Sequence, residues 1–542
     1  MNAPGSGGKR SGGGGRKGDM HIVLISLYHF GAFGARILAD VLKREGYLVS
    51  LVFFKRDKTN EMALPTAAEY ALLDDLLKRL APDLVGLSVR SAFFPVAAKI
   101  TAGLKPALRA PVVWGGPHAI ICPEECVLHA DIVCTGEGEG PLPRLAAALL
   151  DGTDYSGLPG FWVKKPDGSV SRNGRAPLTE DLDSLPPPDF SDMSRSYVIE
   201  DGACENTEPV YNERLVHYNF MTGRGCPFSC DFCSNSALHS IFGNKGRRCR
   251  QRSVGNVLGE LAAAKKAFKN LSSVSVNDEL FGMDPKWLAE FCSRYKKEIG
   301  LAFHCDMHPA FVTEEKIAAL SGIGLRTISM GVQSGSEKLR LELFGRNTPD
   351  AMIRNAASLF RKYGIFPSYD LILDIPGETE DDVRLTLDFM LGLPGPFRLN
   401  LYSLQHHPRT VLTEKLLASG RIAKDDVDGV SLKGFDSWHI RVDRRSGPGG
   451  KIFLQRLLVM LGSNIQLSKK DPGRAAAIFP RRLIRSMEKS RILRENPWLT
   501  DWVSHLPRLA FAAGLVFQLD FSGFFLRVFR RLRKGAAGAL KL

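Results

Sequence analysis

The sequence lacks several features that would place it outside the cytoplasm. Its first 19 residues, MNAPGSGGKRSGGGGRKGD, are Gly-rich and polar with no apolar core, so export is not expected. Cysteine is sparse, ten in 542 residues with three of them inside eight, which suggests metal or redox chemistry more than disulfides. No GxGxxG follows the first apolar run, which argues against a dinucleotide fold. No internal repeat appears, and the only low-complexity tract is the N-terminal glycines. The net charge of +14 is also missing from the body of the chain. Residues 1–19 contribute +3 and residues 471–542 contribute +9, leaving the remainder close to neutral. That speaks against a nucleic-acid groove through the body of the chain.

What is present is strand–helix alternation, in two cycles. Residues 20–150 carry five short β-branched runs, HIVLISL (21–27), YLVSLVFF (47–54), DLVGLSV (83–89), PVVWGG (111–116) and DIVCTG (131–136), separated by helical patterns. Continuous apolar runs of that length suit strands buried on both faces, in an open, Rossmann-like parallel sheet. Residues 151–210, with LPPPDF at 185–190, read as a linker. Residues 211–410 repeat the alternation in roughly six units of about 30 residues, the length of βα units in a partial (β/α)6 barrel. Residues 411–542 read as mainly helical. They end in an apolar stretch, 509–526, followed by RVFRRLRKG. Such a tail suits peripheral contact with an anionic membrane face. The alternatives are a core-packing helix with a solvated basic end, and a spanning helix at its lower length limit.

The chemistry gathers at MTGRGCPFSCDFCSN, where Cys226, Cys230 and Cys233 form CxxxCxxC after the first barrel strand. Three thiolates can hold three irons of a 4Fe–4S cluster, leaving the fourth iron open for a ligand. A zinc knuckle would need a fourth Cys or His at short spacing, and none follows until His239. The motif, with Phe232 before its third cysteine, resembles the signature of the radical S-adenosylmethionine (SAM) superfamily. The resemblance covers about 211–410. It implies that SAM binds the open iron and is cleaved to a 5′-deoxyadenosyl radical, with electrons from a donor such as flavodoxin or ferredoxin. It also implies site residues. Asp278 and Glu279 stand where the family binds the methionine part of SAM, Gln333 and Ser334 near its ribose, and Asp370 near its adenine. For Asp278 and Glu279 the alternative is a helix cap; for the strand-five motif with Asp370 it is a turn into a capped helix.

The sheet ahead of the barrel resembles cobalamin-binding domains. The ends of its strands carry Ser26, then Ser88 and Ser91, then Gly115, Gly116 and His118, then Gly136 and Glu137. Ligands of open parallel sheets bind at such ends, and small residues there leave room for a large flat cofactor with a nucleotide tail. The GGPH and GEGE elements recur in cobalamin-type radical SAM enzymes. The family's DxHxxG ligand motif is absent after the first strand, so no His from that motif is expected on cobalt. On the third barrel strand, alternation aims either Cys305 or its neighbours His304 and Asp306 inward.

The expectation is a cobalamin-dependent radical SAM methyltransferase, acting on an unactivated carbon of a small-molecule or lipid substrate. Cyclisation or rearrangement, and a SAM-only enzyme with an empty N-terminal domain, are the alternatives. No catalytic side chain is singled out.

Overall fold

The computed structural model describes residues 16–28, 32–56, 63–104, 108–187, 194–207, 216–243, 248–429 and 450–462, with isolated pieces at 189 and between 465 and 489. Most of the N-terminal tail and the basic segment 509–534 lie outside the described residues.

The first sheet is built on five parallel strands: β1 (His21–Leu27), β2 (Leu48–Phe54), β3 (Leu84–Ser88), β4 (Val112–Gly115) and β5 (Ile132–Cys134). Every residue of β1 is buried, because the sheet has helices on both faces. Alternate side chains feed two separate cores. Ile22 and Leu24 pack with Ala35, Ala39 and Leu42 of the helix Phe33–Arg44. Val23 and Ile25 pack with Leu73, Leu76 and Leu77 of the helix Ala67–Leu80 on the other face. Each such aliphatic side chain contributes about 1.5–3 kcal/mol when removed from water. The helix Ala67–Leu80 begins at a reciprocal capping box between Thr66 and Glu69.

The segment 151–210 is more than the expected linker. It supplies four strands, β6 (Phe161–Lys164), β7 (Val170–Arg172), β8 (Ser196–Glu200) and β9 (Ala203–Asn206), extending the sheet to nine in the order β7-β6-β5-β4-β3-β1-β2-β8-β9. Short alternating runs such as FWVK and SYVIE form these edges, and the intervening prolines obscured them. The same segment reaches the second domain, where Asp183 accepts a hydrogen bond from the Ser253 backbone at 2.9 Å.

The second sheet has six parallel strands, β10 (His217–Phe220), β13 (Ser273–Val276), β14 (Ala302–Met307), β15 (Leu325–Gln333), β16 (Phe366–Leu373) and β17 (Arg398–Ser403), paired in that order. No pairing joins β10 to β17 among the described residues, so the barrel is partial. Between β10 and β13 lies a short antiparallel ribbon of β11 (Gly223–Arg224) and β12 (Arg250–Gln251). The C-terminal region contributes the helices Val411–Ala418 and Gly450–Gly462. Among the described residues, no helix is long and apolar enough to cross a membrane.

Candidate functional site

The chain leaves β10, passes through β11 and enters the cysteine loop. Gly225 makes the entry possible. Its φ is +97°, and a Cβ there would lie 2.0 Å from the Arg248 carbonyl oxygen. Asp278, buried at the end of β13, pins the approach. Its carboxylate accepts from the backbone N–H of Thr222 at 2.6 Å and of Gly223 at 3.3 Å, and from the Thr222 hydroxyl. Burial pushes its pKa up to about 7 against the pull of those bonds. Glu279 is exposed and accepts from the Gly225 N–H at 3.3 Å. Of this expected SAM-binding pair, Asp278 is therefore committed to holding the loop, and Glu279 alone presents a free edge to the site.

The loop is braced on every side. Phe228 stacks on the imidazole of His308 with ring centroids 4.0 Å apart, and Phe232 packs against Phe344 at 5.0 Å. Asp231 donates its N–H to the Phe344 carbonyl at 2.9 Å and pairs with Lys415 at 2.8 Å. Cys230 is buried, and Cys233 is the N-cap of the helix Ser234–Phe242, whose N-terminal amides favour negative charge. Burial pushes the Cys233 thiol up to about 11, and burial likewise raises Cys226. Metal must therefore displace protons to bind here.

Among the described residues, the one triad of His, Cys or carboxylate groups with ligand atoms all within 4.8 Å is His118, Cys122 and Glu125. The three loop sulfurs do not form such a triad, so at least one pair of them lies more than 4.8 Å apart.

Arg346, which carries no sequence signal, sits beside the loop. One guanidinium nitrogen lies 3.8 Å from the Cys230 sulfur, another donates to the Gly331 carbonyl at 2.8 Å, and Nε is buried without a partner. A buried cation beside three thiols suits an anionic occupant. Gln333, at the end of β15, has φ +71°, and its amide occupies the space where a Gly331 Cβ would stand. Glycine at 331 is what lets Gln333 fold over the barrel mouth. Ser334 is turned away from the site. It is buried, accepts from the Ser336 N–H at 3.1 Å, and gives its carbonyl to Arg340.

The barrel interior is polar. Cys305 is buried in the outer core, so His304 and Asp306 face inward. His304 is within 2.9 Å of the Thr327 hydroxyl and 3.2 Å of the Asp306 carboxylate. Asp370 accepts from Asn400 at 2.8 Å, and its burial, with Asp306 adding repulsion, pushes its pKa up to about 6.

The N-terminal sheet holds a cavity of about 240 Å³ beyond the ends of β1, β3, β4 and β5. Ser88, Gly115, Gly116, Gly136 and Glu137, five of the expected cofactor contacts, line it. Ser26, Ser91 and His118 do not. His118 is fully buried beneath the wall, bound to the Ser91 hydroxyl at 3.0 Å and 3.5 Å from the Glu125 carboxylate. Helix packing turned that imidazole inward, which strand-end position alone could not show. Gly86 within β3 also lines the cavity, and a glycine inside a strand was the available signal for it. A slot this size accepts part of a large cofactor, and its glycine walls leave room for a flat group. Met221, Arg224 and Leu238 of the second domain complete the lining.

Two family models match the chain, the radical SAM superfamily over residues 220–390 and the B12 binding domain over 21–146. An uncharacterized methyltransferase from Pyrococcus horikoshii is 27% identical over 351 residues, 63% of this chain and 71% of that protein. An anaerobic magnesium-protoporphyrin IX monomethyl ester cyclase from Rubrivivax gelatinosus is 26% identical, covering 64% of this chain and 60% of that protein. Among solved structures, the radical SAM methyltransferase TsrM from Kitasatospora setae superposes with a TM-score of 0.58 at 19% identity. That match covers 73% of this chain and 76% of TsrM. The cobalamin-dependent radical enzyme OxsB, with aqua-cobalamin and SAM bound, gives 0.54 at 18%, covering 95% of this chain and 75% of OxsB. The cysteine loop and its barrel define a radical SAM enzyme. With its B12 binding domain, the chain has the two domains of a cobalamin-dependent radical SAM enzyme, whose cofactors are a 4Fe–4S cluster, SAM and cobalamin.

Proposed function

We propose that the enzyme methylates an unactivated carbon of a small-molecule or lipid substrate held at the barrel mouth. One observation carries this reading. The N-terminal cavity and the cluster loop share a wall, since Met221 and Arg224 line the cavity and Cys226 follows two residues after Arg224. Cofactors on either side of that wall would address one substrate from two directions. When bound, they supply a radical initiator and a methyl donor.

The chain's own residues do the rest. Cys226, Cys230 and Cys233 would hold the cluster, with Arg346 balancing its charge. Glu279 and Gln333 would grip SAM. Asp306, His304 and Asp370 present acceptors inside the barrel that would orient the substrate, and an external flavodoxin or ferredoxin would supply electrons. The domain limits 20–150, with the strands of 151–207 added, and 211–410 are the units we assign to the two cofactors. The Pyrococcus methyltransferase and TsrM support methyl transfer, whereas the Rubrivivax relative is named a cyclase.

Mass analysis of a cell extract incubated with the reconstituted enzyme separates the two. Methylation gives a product heavier by one CH2. Ring closure with net oxidation gives a product lighter by two hydrogens, rearrangement leaves the mass unchanged, and either result would replace this reading.

A further inference from the structure

The GEGE element, expected to meet cobalamin, is occupied elsewhere with most of its charge. Glu137 receives a two-pronged contact from Arg250, at 2.7 and 2.8 Å, and a third from Arg224 at 3.1 Å. The Thr179 N–H adds a bond at 2.8 Å. Glu139 pairs with the other end of Arg224 at 2.6 Å. Both glutamates belong to the cobalamin-binding domain, and both arginines to the ribbon that leads into the cluster loop. The four side chains are between 6% and 19% exposed, and two positive charges balance two negative ones.

Stability alone does not explain such a network, because desolvating four charges offsets most of their attraction. What it does provide is register. Arg224 and Arg250 are cross-strand partners in the β11–β12 ribbon, so the glutamates grip both strands at one level. A Cβ at Gly223 would stand 2.7 Å from the Arg250 carbonyl oxygen, so the two strands lie flush where they are gripped. Cys226 follows two residues after Arg224. Glu137, Glu139 and Arg224 also line the N-terminal cavity, whereas Arg250 stands behind it. One set of contacts therefore touches the cavity at one end and aims the cluster loop at the other.

We propose that Glu137, Glu139, Arg224 and Arg250 are positioning residues that couple the two cofactor sites, so that cobalamin and SAM each tighten the binding of the other. Whichever binds first orders the clamp and the ribbon, and the second meets them already ordered. Linkage makes the effect reciprocal, with the same factor in both directions. The inference holds whether the reaction is methylation or ring closure.

The test uses the full chain with its cluster reconstituted anaerobically. Binding of hydroxocobalamin is titrated by its visible absorption, with and without saturating SAM. The reciprocal arm follows SAM binding through the electron paramagnetic resonance signal of the reduced cluster, with and without cobalamin. For the native chain we expect SAM to tighten cobalamin binding about 5- to 10-fold, within the usual range for coupled sites. Glu139→Gln should bring that factor to near one while keeping iron content. Glu139→Asp should restore part of it. Arg250→Lys, placed behind the cavity, should reduce the factor in the same way and serves if the Glu139 variants do not fold. Native protein whose cobalamin affinity ignores SAM overturns the proposal. So does a folded Glu139→Gln or Arg250→Lys protein with undiminished coupling.

Discussion

Arg346 places a guanidinium nitrogen 3.8 Å from the sulfur of Cys230, from a loop 116 residues further along the chain. Its Nε is buried and unpartnered, and burial depresses its pKa while the three thiols oppose that fall. The charge is tolerable because an anionic group is meant to share the site. Arg346→Met should therefore lower the reduction potential of the cluster, since a nearby cation favours the more negative reduced state. SAM cleavage should fall about 10- to 100-fold, the usual loss for a residue supporting a metal site. Redox titration followed by paramagnetic resonance checks the first effect, and Arg346→Lys should recover part of it. An unchanged potential in Arg346→Met would remove Arg346 from the site.

Gly115 lines the N-terminal cavity, and a Cβ there would make only an ordinary contact, 3.7 Å from the Cβ of Cys134. Its backbone has no positive φ, so a side chain can be added without straining the turn. Gly115→Leu should fill the slot and weaken cobalamin binding at least about tenfold, each 1.4 kcal/mol of steric cost giving that factor. Cluster content should stay at the native level. Absorption titration with hydroxocobalamin measures the loss, and native affinity in this variant would move the cofactor out of the cavity.

Asp40, on the helix Phe33–Arg44, offers a pH test of stability. It is buried, accepts from the Asp189 N–H at 3.0 Å, and burial pushes its pKa up to about 6. Because the folded value lies above the unfolded one, protonation favours the fold. The stability it contributes is complete below pH 4 and is lost as pH rises through 6. A shift of two units is worth roughly 3 kcal/mol at most. Asp40→Asn should therefore gain in melting temperature relative to the native chain between pH 5 and pH 8. Equal differences at both pH values would contradict the assigned direction.

The strands of both sheets were legible because parallel strands buried on two faces read as unbroken apolar runs, as in HIVLISL. The cysteine loop was legible because its chemistry is local. Orientation was less so. Ser334 and His118 occupy the expected strand ends, yet hydrogen bonds to Ser336 and Ser91 turn them into structural groups. Glu137 lines the cavity, and its carboxylate also binds Arg250, a partner 113 residues away that no local pattern announces. Arg346 escaped notice for the same reason. The basic segment after residue 508 remains a sequence-level expectation of membrane contact.

The central claim is that Cys226, Cys230 and Cys233 hold a cluster that cleaves SAM. The most direct measurement is 5′-deoxyadenosine formation by anaerobically reconstituted protein given SAM and dithionite, comparing the native chain with Cys230→Ala. The native chain should form it, and Cys230→Ala should form none while its N-terminal domain still binds cobalamin. Undiminished deoxyadenosine from Cys230→Ala, or none from a native chain carrying its full iron, would contradict the account.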